Sequence, residues 1–306
     1  MGAALPAVGL DLLRQRFVVE AGGGRPEPSW LREHAPGAAA IVADPSIPVD
    51  GGLLDAAGSS LKVVSNFGVG YDNIDIDAAR ERGIRATNTP DVLTNATAEL
   101  AIALMLAAAR RIAEADALTR SGQWLAEDQL LGRELAGATV GLVGFGRIAR
   151  RVAELLRGFE VRLLFSSRSD RGSPAGGERR ELADLLTASD FVSLHVPLTT
   201  ETRHLIDARA FAAMKRGAIL VNTSRGAVVD TSALIDALQS GRLGAAGLDV
   251  YEDEPHVPLA LRESPRTVLL PHLGSATATT RDAMARLCAE NVIAVIEGRE
   301  PPSPVA

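Results

Sequence analysis

Short apolar runs alternate with helical patterns of apolar and polar residues along most of the chain. Buried parallel strands have such continuous apolar runs, and their alternation with helices is typical of βαβ units. An early group of strands is predicted at 16–20 (RFVVE), 38–43, 61–66 and 83–88. A later group of six strands is predicted at 139–144, 161–166, 191–196, 218–223, 244–250 and 267–272. The pattern therefore predicts an α/β fold with parallel sheets.

Two long helices are predicted outside these units. The first spans about 95–120 and opens with TNATAEL, where Asn95 or Thr94 is the expected N-cap and Glu99 lies in the first turns. The second, ATTRDAMARLCAENVIAVIEG, lies close to the end of the chain.

Composition and charge exclude several classes of protein. The net charge of −6 argues against a nucleic-acid-binding surface, which needs clustered basic residues. The longest apolar run, 100–109, is half the length that crosses a bilayer, and no signal peptide is evident at the N-terminus. We therefore expect a cytoplasmic protein with neither a membrane nor a nucleic-acid partner.

Cysteine and histidine usage gives no sign of a metal site. Cys288 is the only cysteine, so an intrachain disulfide is excluded, and its helical context favours a small buried hydrophobe over a nucleophile. The five histidines have no ligand spacing. Structural roles are expected for four of them: His34, His195, His204 and His256.

The segment GFGRIA (144–149) has the GxGxxA spacing of a phosphate-binding turn. It follows a predicted strand and opens a helical pattern, and the next strand comes on schedule. Gly144 suits the tight turn, Gly146 lets a pyrophosphate approach the helix N-terminus, and Ala149 takes the place of the third glycine. A plain strand–turn–helix without a ligand is the alternative.

This turn completes the expected architecture. At 306 residues the chain is long for one core, and six strands after residue 138 suit a doubly wound nucleotide-binding sheet. We expect two Rossmann-like doubly wound parallel-sheet domains, with the cofactor domain inserted into the substrate domain. The substrate domain is predicted to comprise 1–95 and 275–306, and the NAD(P)-binding domain to comprise 96–274.

The tip of the next strand, LLFSSRSD (163–170), lacks the acid that usually holds a bare ribose in this kind of unit. Ser166, Ser167 and Arg168 stand there instead, and Asp170 lies beyond the tip. A guanidinium offers a charge-assisted fork to a 2′-phosphate, and the serines donate hydrogen bonds. The tip therefore favours NADPH, with NADH as a second cofactor. A solvated loop whose arginine points away is the alternative.

Three late strands are followed by residues that suit one reaction. Arg225 follows AILV, Glu254 follows GAAGLDV, and His272 follows TVLL. Ligands bind beyond the carboxyl ends of parallel strands, where these side chains should meet. Arginine binds a carboxylate in a fork, histidine gives a proton to a carbonyl oxygen, and an adjacent carboxylate favours protonated imidazole. The set predicts the reduction of a 2-oxo acid.

Each of the three has a plainer interpretation. Arg225 could be a surface ion-pair partner, Glu254 a solvated charge, and His272 a core histidine. In the acidic loop YEDEP, Glu252 and Asp253 are alternatives to Glu254 for the role beside the histidine.

Seven spaced motifs together resemble the D-2-hydroxyacid dehydrogenase family over nearly the full length, and most of all its glyoxylate/hydroxypyruvate and plant hydroxyphenylpyruvate reductases. They are NFGVGYDNID (66–75), NTPDVLT (88–94), GFGRIA, HVPLTTETRHLI (195–206), NTSRGAVVD (222–230), LDVYEDEP (248–255) and LLPHLGSAT (269–277). The resemblance implies an NAD(P)-dependent enzyme acting on small 2-oxo or 2-hydroxy acids, and a homodimer formed through the helix around 96–118.

The resemblance also implies roles for individual residues. Arg225, Glu254 and His272 match the family's catalytic residues, and Glu254 is selected because the family's glutamate directly precedes a proline. The backbone amides of Val69 and Gly70 match the loop that receives the substrate carboxylate, beside Arg225 and His272. The residues expected to contact the cofactor are Thr97, Gly144, Phe145, Gly146, Arg147, Ile148, Ser166, Ser167, Arg168, His195, Val196, Pro197, Thr202, Thr223, Ser224, Arg225, Asp249, His272 and Gly274.

Two departures from the family pattern matter. TNATAEL is less acidic than expected, although Thr97 can serve in the same place. The stretch 126–137 lacks an aromatic residue where some glyoxylate reductases have a tryptophan, which argues against narrow glyoxylate specificity. The alternative function is a dinucleotide-sensing, corepressor-like binding protein of the same fold, which keeps the same three residues.

Overall fold

The computed structural model describes residues 1–23, 28–124, 129–168 and 176–305. The chain has an α/β fold with two compact, Rossmann-like units, each built on a parallel sheet. Unit 1 comprises Met1–Leu93 and Ser275–Ala306, and unit 2, Thr94–Gly274, is inserted between them in the sequence.

The strands, in chain order, are β1 (Ala40–Ala43), β2 (Val63–Asn66), β3 (Arg85–Thr87), β4 (Thr139–Val143), β5 (Arg162–Ser166), β6 (Glu178–Arg179), β7 (Phe191–Leu194), β8 (Ala218–Asn222), β9 (Leu243–Leu248) and β10 (Thr267–Leu269). The α-helices are α1 (Ala7–Arg14), α2 (Pro28–His34), α3 (Gly51–Ala57), α4 (Ile76–Glu81), α5 (Thr94–Ala109), α6 (Ile112–Arg120), α7 (Arg147–Leu155), α8 (Leu182–Ala188), α9 (Ala208–Ala213), α10 (Thr231–Gln239), α11 (Leu259–Arg262) and α12 (Ala278–Ile296).

Unit 1 has a three-stranded parallel sheet with the order β1-β2-β3. Aspartates cap two of its helices: Asp50 accepts from the Leu53 N–H at the start of α3, and Asp75 accepts from the Ala78 N–H at the start of α4. Helix α12 packs on β2 and on α1. The final helix of the sequence thus completes the core of the first unit.

The strand predicted at 16–20 is wrong. Helix α1, which the sequence pattern did not reveal, ends at Arg14, and the N–H groups of Arg16 and Phe17 donate to the Leu13 carbonyl in a turn. Val18 is 97% exposed, so no sheet face buries this apolar run. An apolar run forms a strand only where neighbouring strands and a core cover it.

Cys288 lies in α12 and is fully buried, with Sγ 3.1 Å from Oγ of Ser65. Burial raises the pKa of its thiol to about 12, because the thiolate is disfavoured away from water. The interpretation of Cys288 as a small buried hydrophobe is confirmed.

Unit 2 has a parallel sheet with the order β10-β9-β8-β7-β4-β5-β6. Each of the six strands predicted after residue 138 is present. The short edge strand β6 was not predicted, because its two residues, Glu178 and Arg179, are charged and exposed and have no apolar pattern. Strands β4, β7 and β8 are buried along their whole length and form the centre of the unit.

The single helix predicted at 95–120 is wrong, because α5 and α6 are separate. Arg111 has φ 53°, a left-handed conformation that interrupts the helix. The carbonyl of Ala109, at the end of α5, accepts from the Arg133 N–H. A contact from distant sequence therefore ends the helix at a point where the local pattern continues.

Asn95 lies inside the first turn of α5. Its side chain donates to Glu99 and accepts from Arg151 of α7, so it ties the two helices together.

Among the helices that the structure describes, none is both long and apolar enough to cross a membrane. The described ranges also contain no group of three or more metal-ligating side chains.

Candidate active site

The loops that follow β8, β9 and β10 form the candidate site in unit 2. These three strands are neighbours in the parallel sheet, so their carboxyl ends lie side by side. Arg225 comes three residues after β8, Glu254 six residues after β9, and His272 three residues after β10. Strand order, rather than sequence spacing, places the three loops at one edge.

Glu254 and His272 are hydrogen-bonded. Oε2 of Glu254 lies 2.9 Å from Nδ1 of His272, and Oε1 accepts from the Tyr251 N–H at 3.0 Å. Burial by itself raises the pKa of Glu254, but the hydrogen bond and charge of His272, the Tyr251 amide and the charge of Arg225 outweigh it, so the pKa is lowered. Glu254 is therefore ionised at neutral pH and faces the imidazole as a carboxylate.

The other two acids of YEDEP lie elsewhere. Glu252 contacts His204 and Thr231, and the Asp253 side chain is 90% exposed, with its carboxylate 3.9 Å from His256. Of the three candidates, the structure brings Glu254 to His272.

Asp249 fixes the turn that carries His272. Its two carboxylate oxygens accept from the N–H groups of Leu273 (2.6 Å) and Gly274 (2.8 Å), and its carbonyl accepts from the His272 N–H. Thr97 donates to the Gly274 carbonyl at 3.0 Å. His272 has φ 58°, a conformation that a non-glycine residue keeps only where surrounding contacts hold it. With Nδ1 facing Glu254, Nε2 is the nitrogen left for a reacting group.

Burial raises the pKa of Asp249, whose side chain lies in the interior of unit 2. The two backbone amides and the charge of His272 act in the opposite direction but are outweighed. Through these hydrogen bonds, the buried Asp249 stabilises the turn that carries His272.

Arg225 projects from a loop that is shaped by Asn222. Oδ1 of Asn222 accepts from the N–H and the hydroxyl of Ser224, and Nδ2 donates to the Arg225 carbonyl. The half-buried Arg225 guanidinium donates to the Ser224 carbonyl at 2.8 Å. Gly226 packs directly on the next loop, because a Cβ there would lie 1.8 Å from the Tyr251 carbonyl carbon.

The GFGRIA turn has the geometry that a dinucleotide needs. Gly144 has φ 88°, and a Cβ there would lie 2.7 Å from the His195 carbonyl oxygen, so glycine is required. At Gly146, the N-cap of α7, no atom lies within 4 Å of an added Cβ, so the helix N-terminus is open to a ligand. Ala149, in the first turn of α7, is fully buried. The turn therefore leaves room for a pyrophosphate at the N-terminus of α7.

Phe145 and His195 support the GFGRIA turn by packing within unit 2. The Phe145 ring stacks on Phe165 at 4.0 Å, so only its backbone can face a ligand. Burial lowers the pKa of His195 to about 4, which keeps the ring neutral, and Nε2 lies 2.9 Å from Oγ of Ser193. Thr202 donates to the Pro197 carbonyl at 2.6 Å and fixes the segment between them.

The tip of β5 is held by a residue that the sequence interpretation missed. Nε and an Nη atom of Arg179, in β6, donate to the Ser167 carbonyl at 3.2 and 2.8 Å. Arg168 is exposed, and its charge is one of the weaker causes that lower the pKa of Glu201, after hydrogen bonds led by that from Thr199. Asp170, considered for the tip, lies outside the described residues. The only sequence signal for Arg179 is that it is a basic residue about a dozen positions after Ser167.

The remaining expected cofactor residues also lie in unit 2. The hydroxyl of Thr223 is buried without a hydrogen-bond partner among the described residues, whereas the Ser166 carbonyl accepts from the Gly144 N–H. Exposure varies across the rest: Arg147 and Pro197 are exposed, and Ile148, Val196 and Ser224 are half-buried.

Val69 and Gly70 lie in a half-buried loop of unit 1 after β2. Their carbonyls are held by asparagines: Asn88 donates to Val69 at 2.8 Å and Asn66 donates to Gly70 at 2.5 Å. Asn73 in turn donates to Oδ1 of Asn66. Within the described part of the chain, the N–H groups of Val69 and Gly70 have no acceptor. The loop therefore presents two backbone donors.

Comparison with known proteins identifies the family. The family model described as D-isomer specific 2-hydroxyacid dehydrogenase, NAD binding domain, matches residues 102–274. The glyoxylate reductase of Thermococcus kodakarensis is 46% identical over 311 residues, which cover 98% of this chain and 93% of that protein. The glyoxylate reductase of Aeropyrum pernix is 48% identical over 265 residues, covering 83% of this chain and 79% of that protein.

A solved structure gives the same result. The crystal structure of the NADPH-dependent glyoxylate/hydroxypyruvate reductase of Sinorhizobium meliloti, in complex with NADP and malonate, superposes with a TM-score of 0.90. It is 36% identical, and the match covers 99% of this chain and 95% of that one. These relatives are named as reductases, which gives no support to a corepressor-like role. The chain belongs to the D-isomer-specific 2-hydroxyacid dehydrogenase family and is an NAD(P)-dependent oxidoreductase.

Proposed function

We propose that the protein is an NADPH-preferring reductase of small 2-oxo acids, such as glyoxylate or hydroxypyruvate, which it converts to 2-hydroxy acids that have the D configuration wherever the product is chiral. The observation that carries the proposal is the Glu254–His272 hydrogen bond at the strand edge that also presents Arg225. The relatives named as glyoxylate reductases support this choice of substrate class.

His272 is the proposed general acid. Its Nε2 gives a proton to the carbonyl oxygen of the 2-oxo acid, which becomes the hydroxyl of the product. Glu254 stays ionised beside Nδ1 and stabilises the protonated imidazole before the transfer. The reduced nicotinamide, when bound, supplies the hydride to the carbonyl carbon.

Arg225 is the proposed anchor of the substrate carboxylate. Its planar fork suits a carboxylate in a way that a lysine ammonium does not. The backbone N–H groups of Val69 and Gly70, which have no acceptor among the described residues, are proposed as further donors to a carboxylate. We accordingly propose unit 1 as the substrate domain and unit 2 as the cofactor domain, because unit 2 contains the matched NAD-binding region; Arg225 and His272 belong to unit 2.

Preference for NADPH rests on the β5 tip. Ser167 and Arg168 occupy the place where an acid would select a bare ribose, and the Sinorhizobium meliloti relative is described as NADPH-dependent. We further propose a cytoplasmic homodimer formed through the helices around 96–118.

The test is cofactor oxidation against glyoxylate, hydroxypyruvate, pyruvate, phenylpyruvate and 2-oxoisocaproate, first with NADPH and then with NADH. We expect the highest kcat/KM with NADPH for glyoxylate or hydroxypyruvate, and a product of D configuration from each substrate whose reduction creates a stereocentre. An absence of turnover with every 2-oxo acid, under conditions where the protein binds NADPH, would reject the proposal.

A further inference from the structure

Two residues before Glu254, the carboxylate of Glu252 is bound by side chains from two other segments. Oε1 lies 2.6 Å from Nε2 of His204 and 3.3 Å from an Nη atom of Arg203, and Oε2 accepts from Oγ1 of Thr231 at 2.9 Å. The Glu252 side chain is 26% exposed. Three donors on one sheltered carboxylate make a fixed point in the loop that carries Glu254.

The charge of Glu252 is maintained at neutral pH. Burial raises the pKa of this carboxyl, but the hydrogen bonds from His204 and Thr231 outweigh burial and lower it. The hydrogen bonds are therefore charge-assisted, which makes them stronger than bonds between neutral groups.

His204 is itself held in place. It has φ 51°, which a non-glycine residue adopts only when neighbouring contacts stabilise it. Its backbone N–H donates to the Ala227 carbonyl at 2.8 Å. Two residues further on, Ile206 pairs with Val229 in a short parallel β-bridge. The segment that carries His204 is thus tied to the loop that carries Arg225.

The loop at 251–254 contacts the Arg225 loop at a second point. Gly226 lies so close to the Tyr251 backbone that no side chain fits between them. The Tyr251 hydroxyl donates to the carbonyls of Leu248 and Leu270, which end β9 and follow β10. Tyr251 anchors the loop on one side of Glu252, while Asp253, on the other side, is exposed.

We propose that His204, Glu252 and Thr231 form a clamp, here called the Glu252 clamp, that positions the carboxylate of Glu254 against His272. The inference rests on the proposed function, in which the Glu254–His272 pair handles the transferred proton. His204 and Glu252 act through Glu254 and are positioning residues rather than catalytic ones. The substrate and cofactor need not touch them.

Other charged groups bear on the same pair. Arg225 interacts electrostatically with Glu254, and Asp249 interacts with both Glu254 and His272. Tyr251 interacts with Asp249 and Glu254. His204 and Arg203 face Glu252. Glu252→Ala removes a hydrogen-bonding group and a charge together, so its effect could be positional or electrostatic. Variants that separate the two effects are required.

The test compares pH profiles of kcat/KM in the reductive direction. Glu252→Ala and His204→Leu remove the clamp, and we expect each to lower kcat/KM about 10- to 100-fold, as a misplaced catalytic group does. The alkaline limb of the profile should move to lower pH, in the same direction as in Glu254→Gln. In the double variant Glu252→Ala/Glu254→Gln the limb should move no further than in Glu254→Gln alone, because the two residues act as one unit.

Conservative variants distinguish position from charge. Glu252→Gln and His204→Gln keep hydrogen-bonding groups within reach, and we expect both to stay within about three-fold of wild type, with the limb in place. The matched control is Asp253→Asn, which changes an exposed acid of the same loop and should have no effect. Calorimetric binding of NADP⁺ to each purified variant checks that unit 2 is folded, independently of turnover.

The outcomes separate the two proposals. If Glu254→Gln moves the limb while Glu252→Ala and His204→Leu leave it unmoved, the clamp is rejected and the proposed function stands. If Glu252→Gln is as damaging as Glu252→Ala, charge and not position is responsible, and the clamp is again rejected. If Glu254→Gln itself leaves the limb unmoved, the proton-donating pair of the proposed function is rejected. Should Glu252→Ala fail to bind NADP⁺, the His204→Leu and His204→Gln pair decides.

Discussion

Nδ1 of His272 lies 2.9 Å from Oε2 of Glu254, so a hydrogen bond joins the loops that follow two neighbouring strands of a parallel sheet. The bond places the carboxylate at Nδ1, so Nε2 is the ring nitrogen left for the proposed substrate.

Glu254→Gln removes the carboxylate charge and keeps a group of similar size. The pKa of Glu254 is lowered, so in wild type the charge is present throughout the neutral range in which a histidine titrates. Without it, protonated imidazole is less stable, and kcat/KM for 2-oxo acid reduction should fall at a lower pH. The measurement is the pH–rate profile of both proteins, and Asp253→Asn serves as control. An unmoved alkaline limb would mean that another group orients the histidine.

Arg225→Lys replaces a fork with a point charge. We expect a loss of about 2–4 kcal/mol of transition-state stabilisation, which is about 30- to 1,000-fold in kcat/KM, from unmade charged hydrogen bonds. NADP⁺ affinity, measured by calorimetry, should change little. Arg209→Lys, at an exposed position of α9, is the control. Activity within three-fold of wild type would remove Arg225 from the mechanism.

The double change Ser167→Asp with Arg168→Gln should shift preference from NADPH towards NADH. An acid at this tip accepts hydrogen bonds from a bare ribose and repels a 2′-phosphate, so the ratio of kcat/KM values should change about ten-fold or more. Arg180→Gln, which alters an arginine paired with Glu178 next to the same edge, is the control. A wild-type protein that already favours NADH would contradict the assignment of the tip.

The two glycines of the phosphate-binding turn should respond differently to alanine. Gly144→Ala forces a methyl against the His195 carbonyl in a left-handed conformation, which should cost about 1–3 kcal/mol of folding free energy. Gly146→Ala meets open space, so it should cost at most about 1 kcal/mol as a poorer N-cap. Its effect should instead be weaker NADP⁺ binding, because the methyl occupies the approach of the pyrophosphate.

Thermal unfolding and NADP⁺ calorimetry on the same two proteins separate these effects. If Gly146→Ala binds NADP⁺ as wild type does, the pyrophosphate does not approach at that residue.

Sequence alone determined the α/β class and the six later strands, because strands buried on both faces need continuous apolar runs. It also showed the GFGRIA turn, where glycine spacing is a backbone requirement, and the three candidate catalytic side chains after late strands. It left open which acid of YEDEP serves the histidine, and family resemblance rather than residue chemistry favoured Glu254.

Tertiary structure decided the rest. Strand order is set by which apolar surfaces pack together, and it makes β8, β9 and β10 neighbours. The break at Arg111 comes from a distant amide that binds the end of α5, and the run at 16–20 fails as a strand because nothing covers Val18. Glu254 faces His272 while Glu252 binds His204 and Thr231, since the direction of a loop side chain depends on contacts far away in sequence. Local pattern carries no information about such contacts, and only the folded chain supplies them.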